Sequence, residues 1–186
     1  AADPSVASDN FLNTTVIGGN YISGDGRVEI RSPRPFTTTW QTTDGTIAIP
    51  TTGGGYNYSI NWTNLTNPGV DEGSDTGVTG DYLISGLSNG DTYQIEINGD
   101  FPRIYFAGTG DADKIRSIEQ WGEIAWENMR QAFEGCTNLI YNASDAPDLT
   151  NVTSMTAMFS GCTCLTNPDL NSWDVSGIQA MSTMFF

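Results

Sequence analysis

Any chemistry in this chain has to come from cysteines, carboxylates and aromatic rings, because its 186 residues include no histidine. That absence removes Ser-His-Asp and Cys-His nucleophiles, histidine-ligated zinc and the usual general base at neutral pH. Of the cysteines, Cys162 and Cys164 have no second pair with which to complete four zinc ligands. Cys136 and Cys162 have two readings: small apolar fillers of a core, or a bridge between neighbouring segments in an oxidising compartment. Asp71, Glu72, Asp75 and Asp81 lie in a Gly-rich stretch, and Asp111 and Asp113 in Gly-Thr-Gly-Asp-Ala-Asp-Lys. Hard oxygen ligands of this kind suit Ca²⁺, so Asp111 and Asp113 are the candidate calcium ligands, set against a reading of both stretches as solvated turns. Neither stretch has EF-hand spacing, and no other cofactor is expected. Glu119, Glu123, Glu127 and Glu134 are close enough in sequence to suggest a glycosidase pair, but they are better explained as the polar face of a repeat. Trp40, Tyr56, Tyr58 and Trp62 are the candidate glycan-stacking rings, while a period of two sends half of such residues into a core. The chain is read as having no catalytic residues.

Charge and hydropathy narrow the partners. With 22 acidic residues against 7 basic ones, the net charge is −15, which repels phosphate backbones and excludes nucleic acid. Lys114 is the single lysine. No run approaches the ~18 consecutive apolar residues of a membrane-spanning helix. The opening Ala1-Ala2-Asp3-Pro4 reads as the start of a processed or excised product.

The elements that must position these residues fall into two patterns. From Met129 the chain repeats without a gap: Met129, Met155 and Met181 recur every 26 residues, as do Phe133, Phe159 and Phe185. Gly135 aligns with Gly161, Cys136 with Cys162, Leu139 with Leu165, and Trp126 with Val152 and Ile178. The predicted core is therefore Met129, Phe133, Cys136, Leu139, Val152, Met155, Met158, Phe159, Cys162, Leu165, Ile178, Met181 and Phe185. The spacing of Val152, Met155, Met158 and Phe159 predicts a short helix or 3₁₀ turn with one buried side, broken by Gly161 and followed by a short strand over residues 165–170. Residues 114–128 form a degenerate first unit, with Ile115 and Ile118 supplying its strand. Stacked units share a core that no single unit can bury, which is solenoid logic. Met181, Met184, Phe185 and Phe186 repeat the core columns with nothing after them, so the parent polypeptide is expected to continue.

Upstream the period gives way to short strands at 36–43, 46–52, 56–63, 82–87, 92–98 and 103–106. These are divided by turn signals such as Asp44-Gly45 and Asn89-Gly90, and this predicts a β-sandwich. Residues 16–23 and 27–31 read as a hairpin around Gly24-Asp25-Gly26, with Pro33 and Pro35 as a linker. That hairpin can be the tail of a preceding domain, an added sandwich edge or an arm docking on a neighbour. The sequons at Asn13, Asn57, Asn61, Asn64, Asn142 and Asn151 are what an Asn- and Thr-rich chain produces by chance.

The unit MxxMFxGCxxL followed by WDVS, carried by Met155, Met158, Phe159, Cys162, Leu165, Trp173, Asp174 and Val175, resembles the BspA-like leucine-rich repeats also found in mycoplasma surface lipoproteins. The segments FTTTWQTT, IPTTGGGYNYSINW, DTGVTGD and GDFPRIYF resemble the polycystic-kidney-disease-like sandwich that precedes such repeats in large exported proteins of marine Bacteroidetes. The chain departs from these patterns at Trp62-Thr63-Asn64-Leu65, where WGDG is usual, and at Pro147, where the repeat prefers Trp. The fold class expected is mainly β: an immunoglobulin-like, polycystic-kidney-disease-like sandwich over residues 34–107, after a hairpin and linker over 1–33, then a leucine-rich-repeat solenoid over 111–186. The resemblance implies a non-catalytic extracellular or cell-surface module for adhesion or assembly. Its partners would be other domains of the same polypeptide, neighbouring subunits, or a host or prey surface protein or glycan. A lectin-like, carbohydrate-binding module is the rival reading.

Overall fold

The computed structural model describes residues 20–22, 28–30, 32–166 and 168–186. The chain is mainly β, with no helix among the described residues. It divides into two compact units, Ala1–Pro33 and Arg34–Phe186. In the first, β1 (Asn20–Ile22) pairs antiparallel with β2 (Val28–Ile30), Tyr21 opposite Glu29. This matches the expected hairpin, whose turn around Gly24-Asp25-Gly26 lies outside the described residues, as does the sequon at Asn13.

In the second unit the alternation of apolar residues builds the strands. They are β3 (Phe36–Gln41), β4 (Thr46–Ile49), β5 (Asn57–Asn64), β6 (Gly73–Val78), β7 (Tyr82–Ser85), β8 (Thr92–Asp100), β9 (Ile115–Gln120) and β10 (Ile140–Tyr141). One six-stranded sheet runs β10-β9-β3-β8-β5-β6, and β4 pairs with β7 in a second sheet. Phe36 and Trp40 on β3, Tyr58 and Ile60 on β5, and Tyr93, Ile95 and Ile97 on β8 all point to one buried side. There they share a cluster with Ile47, Ile49 and Ile84 of the smaller sheet, as a period of two requires. Two differences from the expected strands stand out. β6 was not anticipated, and residues 103–106 form no strand.

β9 joins the two halves of the pattern. It pairs antiparallel with β3, Thr38 opposite Ile118, and parallel with β10, Ser117 opposite Ile140. The boundary drawn at 107–111 thus crosses a continuous sheet.

Beyond β9 the 26-residue units lie on one another in parallel. The N–H groups of Met129, Gln131, Phe133 and Gly135 donate to the carbonyls of Ser154, Thr156, Met158 and Ser160 at 2.7–3.2 Å. Those of Met155, Ala157, Phe159 and Gly161 donate to Ala180, Ser182, Met184 and Phe186 at 2.8–2.9 Å. The segment expected as a helix or 3₁₀ turn is neither. Gln131, Ala157 and Thr183 sit at positive φ (57°, 55° and 52°) at the same place in each coil, and alternate N–H groups leave for the next coil. A helix keeps its N–H groups for its own carbonyls, so the i, i+3, i+6, i+7 spacing here marks a tight turn, closed by Met158 N–H to Met155 O at 3.1 Å. The strand expected over 165–170 is likewise missing among its described residues.

Candidate functional site

The intercoil surface is the most regular feature of the molecule. Phe133 stacks on Phe159 at 5.5 Å and 12°, and Phe159 on Phe185 at 5.5 Å and 16°. Phe106 heads the same column, 6.2 Å from Phe133, and the N–H groups of Phe106 and Gly108 donate to Ala132 and Glu134. The first rung therefore lies upstream of the degenerate unit assigned to residues 114–128. A gap-free alignment hides it, because Phe106 precedes Phe133 by 27 residues rather than 26. Gly135 belongs to the same contact, since a Cβ there would meet the Gly108 Cα at 2.8 Å.

Of the predicted core, Met129, Phe133, Cys136, Leu139, Val152, Met155, Met158, Phe159 and Cys162 are buried, while Leu165 and Ile178 are partly buried. Met181 and Phe185 are not: they are 47% and 52% exposed, because no described coil lies over them. Pro147, the departure from the repeat pattern, has a structural counterpart. Trp121, Pro147 and Trp173 occupy one column at 26-residue spacing. With a small ring in the middle coil, the two indoles meet edge to face at 5.4 Å. Both donate from Nε1 to the Tyr141 hydroxyl, at 2.9 and 3.2 Å. Burial pushes the Tyr141 pKa up, and the two indole donors pull against it.

The three cysteines are free thiols, two buried and one exposed. Cys162 and Cys136 form no bridge; the Cys162 Sγ lies 3.0 Å from the Phe133 carbonyl. Burial pushes the Cys136 thiol far up and the Cys162 thiol up to about 12. A thiolate is the reactive species, so native protein treated with iodoacetamide should be alkylated at Cys164 alone, and at all three cysteines after denaturation. Labelling of Cys162 in the native state at the rate of Cys164 would contradict the packing.

The acids are engaged in holding backbone. Asp111 accepts from Ala48 N–H at 2.7 Å through one oxygen and pairs with Lys114 Nζ at 3.0 Å through the other. Lys114 is 4% exposed and also donates to Asp44 Oδ1 at 2.8 Å and Thr46 O at 3.1 Å. Burial works against its charge, but the hydrogen bonds to Asp44 and Asp111 outweigh this and hold its pKa above the usual lysine value. The Lys114 hydrogen bond, with those from Thr46, pulls Asp44 down to about 2. Asp113 contributes its carbonyl, which accepts from Arg116 at 2.5 Å and Asn138 at 2.8 Å. Of the two expected calcium ligands, Asp111 is thus engaged with Ala48 and the Lys114 ammonium and Asp113 offers its carbonyl to Arg116 and Asn138, and no group of three acids or thiols able to hold a metal occurs among the described residues. Asp81 caps Thr51, Glu72 accepts from Asn64 and Gly69, and Asp71 accepts from the Ser88 hydroxyl.

The glycan-stacking set is also redistributed. Trp40, Tyr56 and Tyr58 are buried core residues. Trp62 alone stays partly exposed, lying over Gly73 and 6.2 Å from Tyr82. Asn64 was missed as an organiser of the loop that stands in place of WGDG. Its Oδ1 accepts from Thr66 and Asn67, and its Nδ2 donates to Asp91 and the Tyr93 hydroxyl. An Asn at a strand end ahead of Thr-Asn-Pro-Gly is the signal that points to it. Of the glutamates, Glu119 accepts from Ser117 and Asn142, Glu123 lies 3.6 Å from Arg34 Nε, and Glu134 accepts from Gln131.

No curated protein and no solved structure matches the chain. A family model does match, over a span that begins just before the first rung at Phe106 and takes in β9: residues 104–186 are similar to the family described as "Mycoplasma protein of unknown function, DUF285".

Proposed function

We propose that this chain is a structural and adhesive module of a bacterial cell-surface protein, in which a polycystic-kidney-disease-like β-sandwich caps the first coil of a BspA-type leucine-rich-repeat solenoid. The observation that supports this best is the ladder of parallel backbone hydrogen bonds and stacked phenylalanines, which starts at Phe106, just ahead of the strand shared with the large sheet, and continues through Phe133, Phe159 and Phe185. Such a stack extends by adding units without changing its cross-section, which suits a rigid spacer that holds binding surfaces away from a cell. The family match over residues 104–186 agrees with the repeat reading. The module needs no catalytic residue in this role, and its acids serve as loop staples and solubilising charge.

The lectin-like reading keeps one specific observation in its favour, the partly exposed Trp62–Tyr82 pair beside Asp75, to which the Tyr82 hydroxyl donates at 3.1 Å. Display of the chain on a non-adherent laboratory bacterium separates the two. Adhesion or clumping that rises on display, survives free sugars and is lost with Phe159→Ala supports the structural reading. Binding on a glycan array that Trp62→Ala abolishes, with no gain in adhesion, overturns it in favour of the lectin.

A further inference from the structure

Of the seven basic residues, Arg27 and Arg31 lie outside the described residues, and three of the others are fully engaged. Arg34 faces Glu123 and Asp145, and Lys114 pairs with Asp44 and Asp111. Each nitrogen of the Arg116 guanidinium donates to Gln41 Oε1 or to the Asp113 carbonyl. Arg103 and Arg130 differ, since neither has a carboxylate partner among the described residues. They are neighbours in space. Ile104 and Phe106 turn into the core and leave Arg103 and Tyr105 half-buried on the outer side, and the first rung of the ladder sets this stretch against residues 130–132. Arg103 Nη2 donates to the Arg130 carbonyl at 2.8 Å, and its guanidinium carbon lies 4.3 Å from the centre of the Tyr105 ring. Its Nε is buried without a partner, Nη1 has none among the described residues, and neither has the exposed Arg130 side chain. The acid on this side is Glu134, which accepts from Gln131 at 2.6 Å, while Gln131 Oε1 accepts from the Tyr105 hydroxyl at 3.3 Å. Burial lowers the Arg103 pKa and the Arg130 charge adds to this, against Tyr105 and Tyr56; no carboxylate contributes. A half-buried cation without a counter-charge costs stability, and a chain with 22 acids has no shortage of counter-charges.

We propose that Arg103 and Arg130, the first held in place by the Tyr105 ring and the Arg130 carbonyl, bind a pair of carboxylates on an acidic segment of a partner protein. This gives the partner's chemistry for the adhesive reading above, on which it rests. A guanidinium is a planar fork that meets a carboxylate with two parallel hydrogen bonds, and here one fork is fixed and the other is free to close on the ligand. A sugar ring is disfavoured as occupant because the Tyr105 face on which it would stack already carries Arg103. A polymer of phosphates or sulfates is disfavoured because its dense charge meets the field of a chain of net charge −15. Two carboxylates feel mainly the adjacent guanidiniums, since at physiological salt that field is screened beyond about 8 Å.

The test titrates the whole ¹⁵N-labelled chain with the peptide acetyl-Gly-Asp-Glu-Gly-amide and follows the arginine Nε–H resonances. Saturable shifts are expected at Arg103 and Arg130, half complete at about 1 mM peptide or below, with none at Arg116 and none for the peptide in which Asn and Gln replace the acids. Arg130→Gln should weaken binding at least about fivefold and leave the melting temperature unchanged, because its exposed side chain holds nothing in place. Arg116→Gln removes the same charge and should leave the affinity unchanged. The proposal is overturned by unshifted resonances at about 10 mM peptide, by an equal response to the Asn-Gln peptide, or by equal weakening in the two variants. A larger response to D-glucuronate or to inorganic phosphate than to the acidic peptide also overturns it, making the occupant a sugar acid or a phosphate. Peptide binding by a chain that confers no adhesion on display keeps the site and ends the adhesive reading, whereas adhesion without peptide binding does the reverse.

Discussion

Gly122→Ala is expected to be the most damaging glycine-to-alanine change among the described residues, destabilising the protein by about 3–5 kcal/mol. The residue has φ +68°, and a Cβ built on it would lie 2.3 Å from Pro35 O and 2.4 Å from Arg34 O. Both obstacles are backbone carbonyls, so no rotamer change relieves the contact. Three segments are tied at this point. Glu123 N–H donates to Arg34 O at 2.9 Å, and Asp145 accepts from Trp121 N–H at 2.9 Å and Gly122 N–H at 3.0 Å. The Arg34 guanidinium lies 3.7 Å from the same Asp145. Shifting the Gly122 backbone to admit a methyl group would break the carboxylate clamp as well as the sheet end. Gly86 provides the control: its φ is +78° but nothing lies within 4 Å of an added Cβ, so Gly86→Ala isolates the conformational cost, about 1 kcal/mol. Urea denaturation of the two variants checks the argument. Equal midpoints would mean that the close approach at Gly122 does not exist.

The second large effect is expected at Phe159. The ring is 2% exposed, lies between Phe133 and Phe185 at 5.5 Å each, and touches Trp173 at 6.5 Å. Truncation to Ala removes the transfer free energy of the ring and leaves a cavity between two coils, which together cost about 3–5 kcal/mol. Phe159→Leu keeps most of the volume and should cost about 1.5 kcal/mol or less. The period alone suggests that the loss stays in the repeats. The structure suggests a wider effect, because Arg34–Phe186 is one compact unit and β9 is shared by sheet and coils. Unfolding of Phe159→Ala followed by tryptophan fluorescence and by far-ultraviolet circular dichroism should therefore give one shifted midpoint. A change in stability below about 1 kcal/mol would show that Phe159 does not sit in the stack.

Local patterns in the chain were sufficient for its mainly β character, the alternating strands and the 26-residue columns. Each of these arises because a half-buried strand or a stacked coil must place apolar residues at a fixed spacing. Tyr93, Ile95 and Ile97 all face the core as their alternation requires, and Met129, Phe133, Met155 and Phe159 are buried as their period requires. β6 escaped notice because Gly73–Val78 is an edge strand with exposed polar residues, so no buried face imposes a pattern on it. The spacing of Val152, Met155, Met158 and Phe159 suits a short helix or 3₁₀ turn because a tight turn that sends alternate N–H groups to a neighbour places side chains at nearly the same spacing.

What tertiary structure alone decided is which distant segments share one environment. The pairing of residues 36–41 with residues 115–120 makes β9 an interior strand of the large sheet, between β10 and β3, and no local spacing encodes a partner so far away. The fate of the candidate site residues follows from the same cause. Asp111 reads as a cation ligand beside Asp113, yet its partner Lys114 lies only three residues on; what folding adds is the distant Asp44, so that Asp111 and Asp44 become the counter-charges of the lysine. Trp121 and Trp173, 52 residues apart in the chain, carry no sign there that they touch, yet their rings meet edge to face in the packed unit. Sequence specifies each residue's own tendency to be buried, bent or charged, whereas pairings across long loops are set by the free energy of the whole packed unit, to which every segment contributes at once.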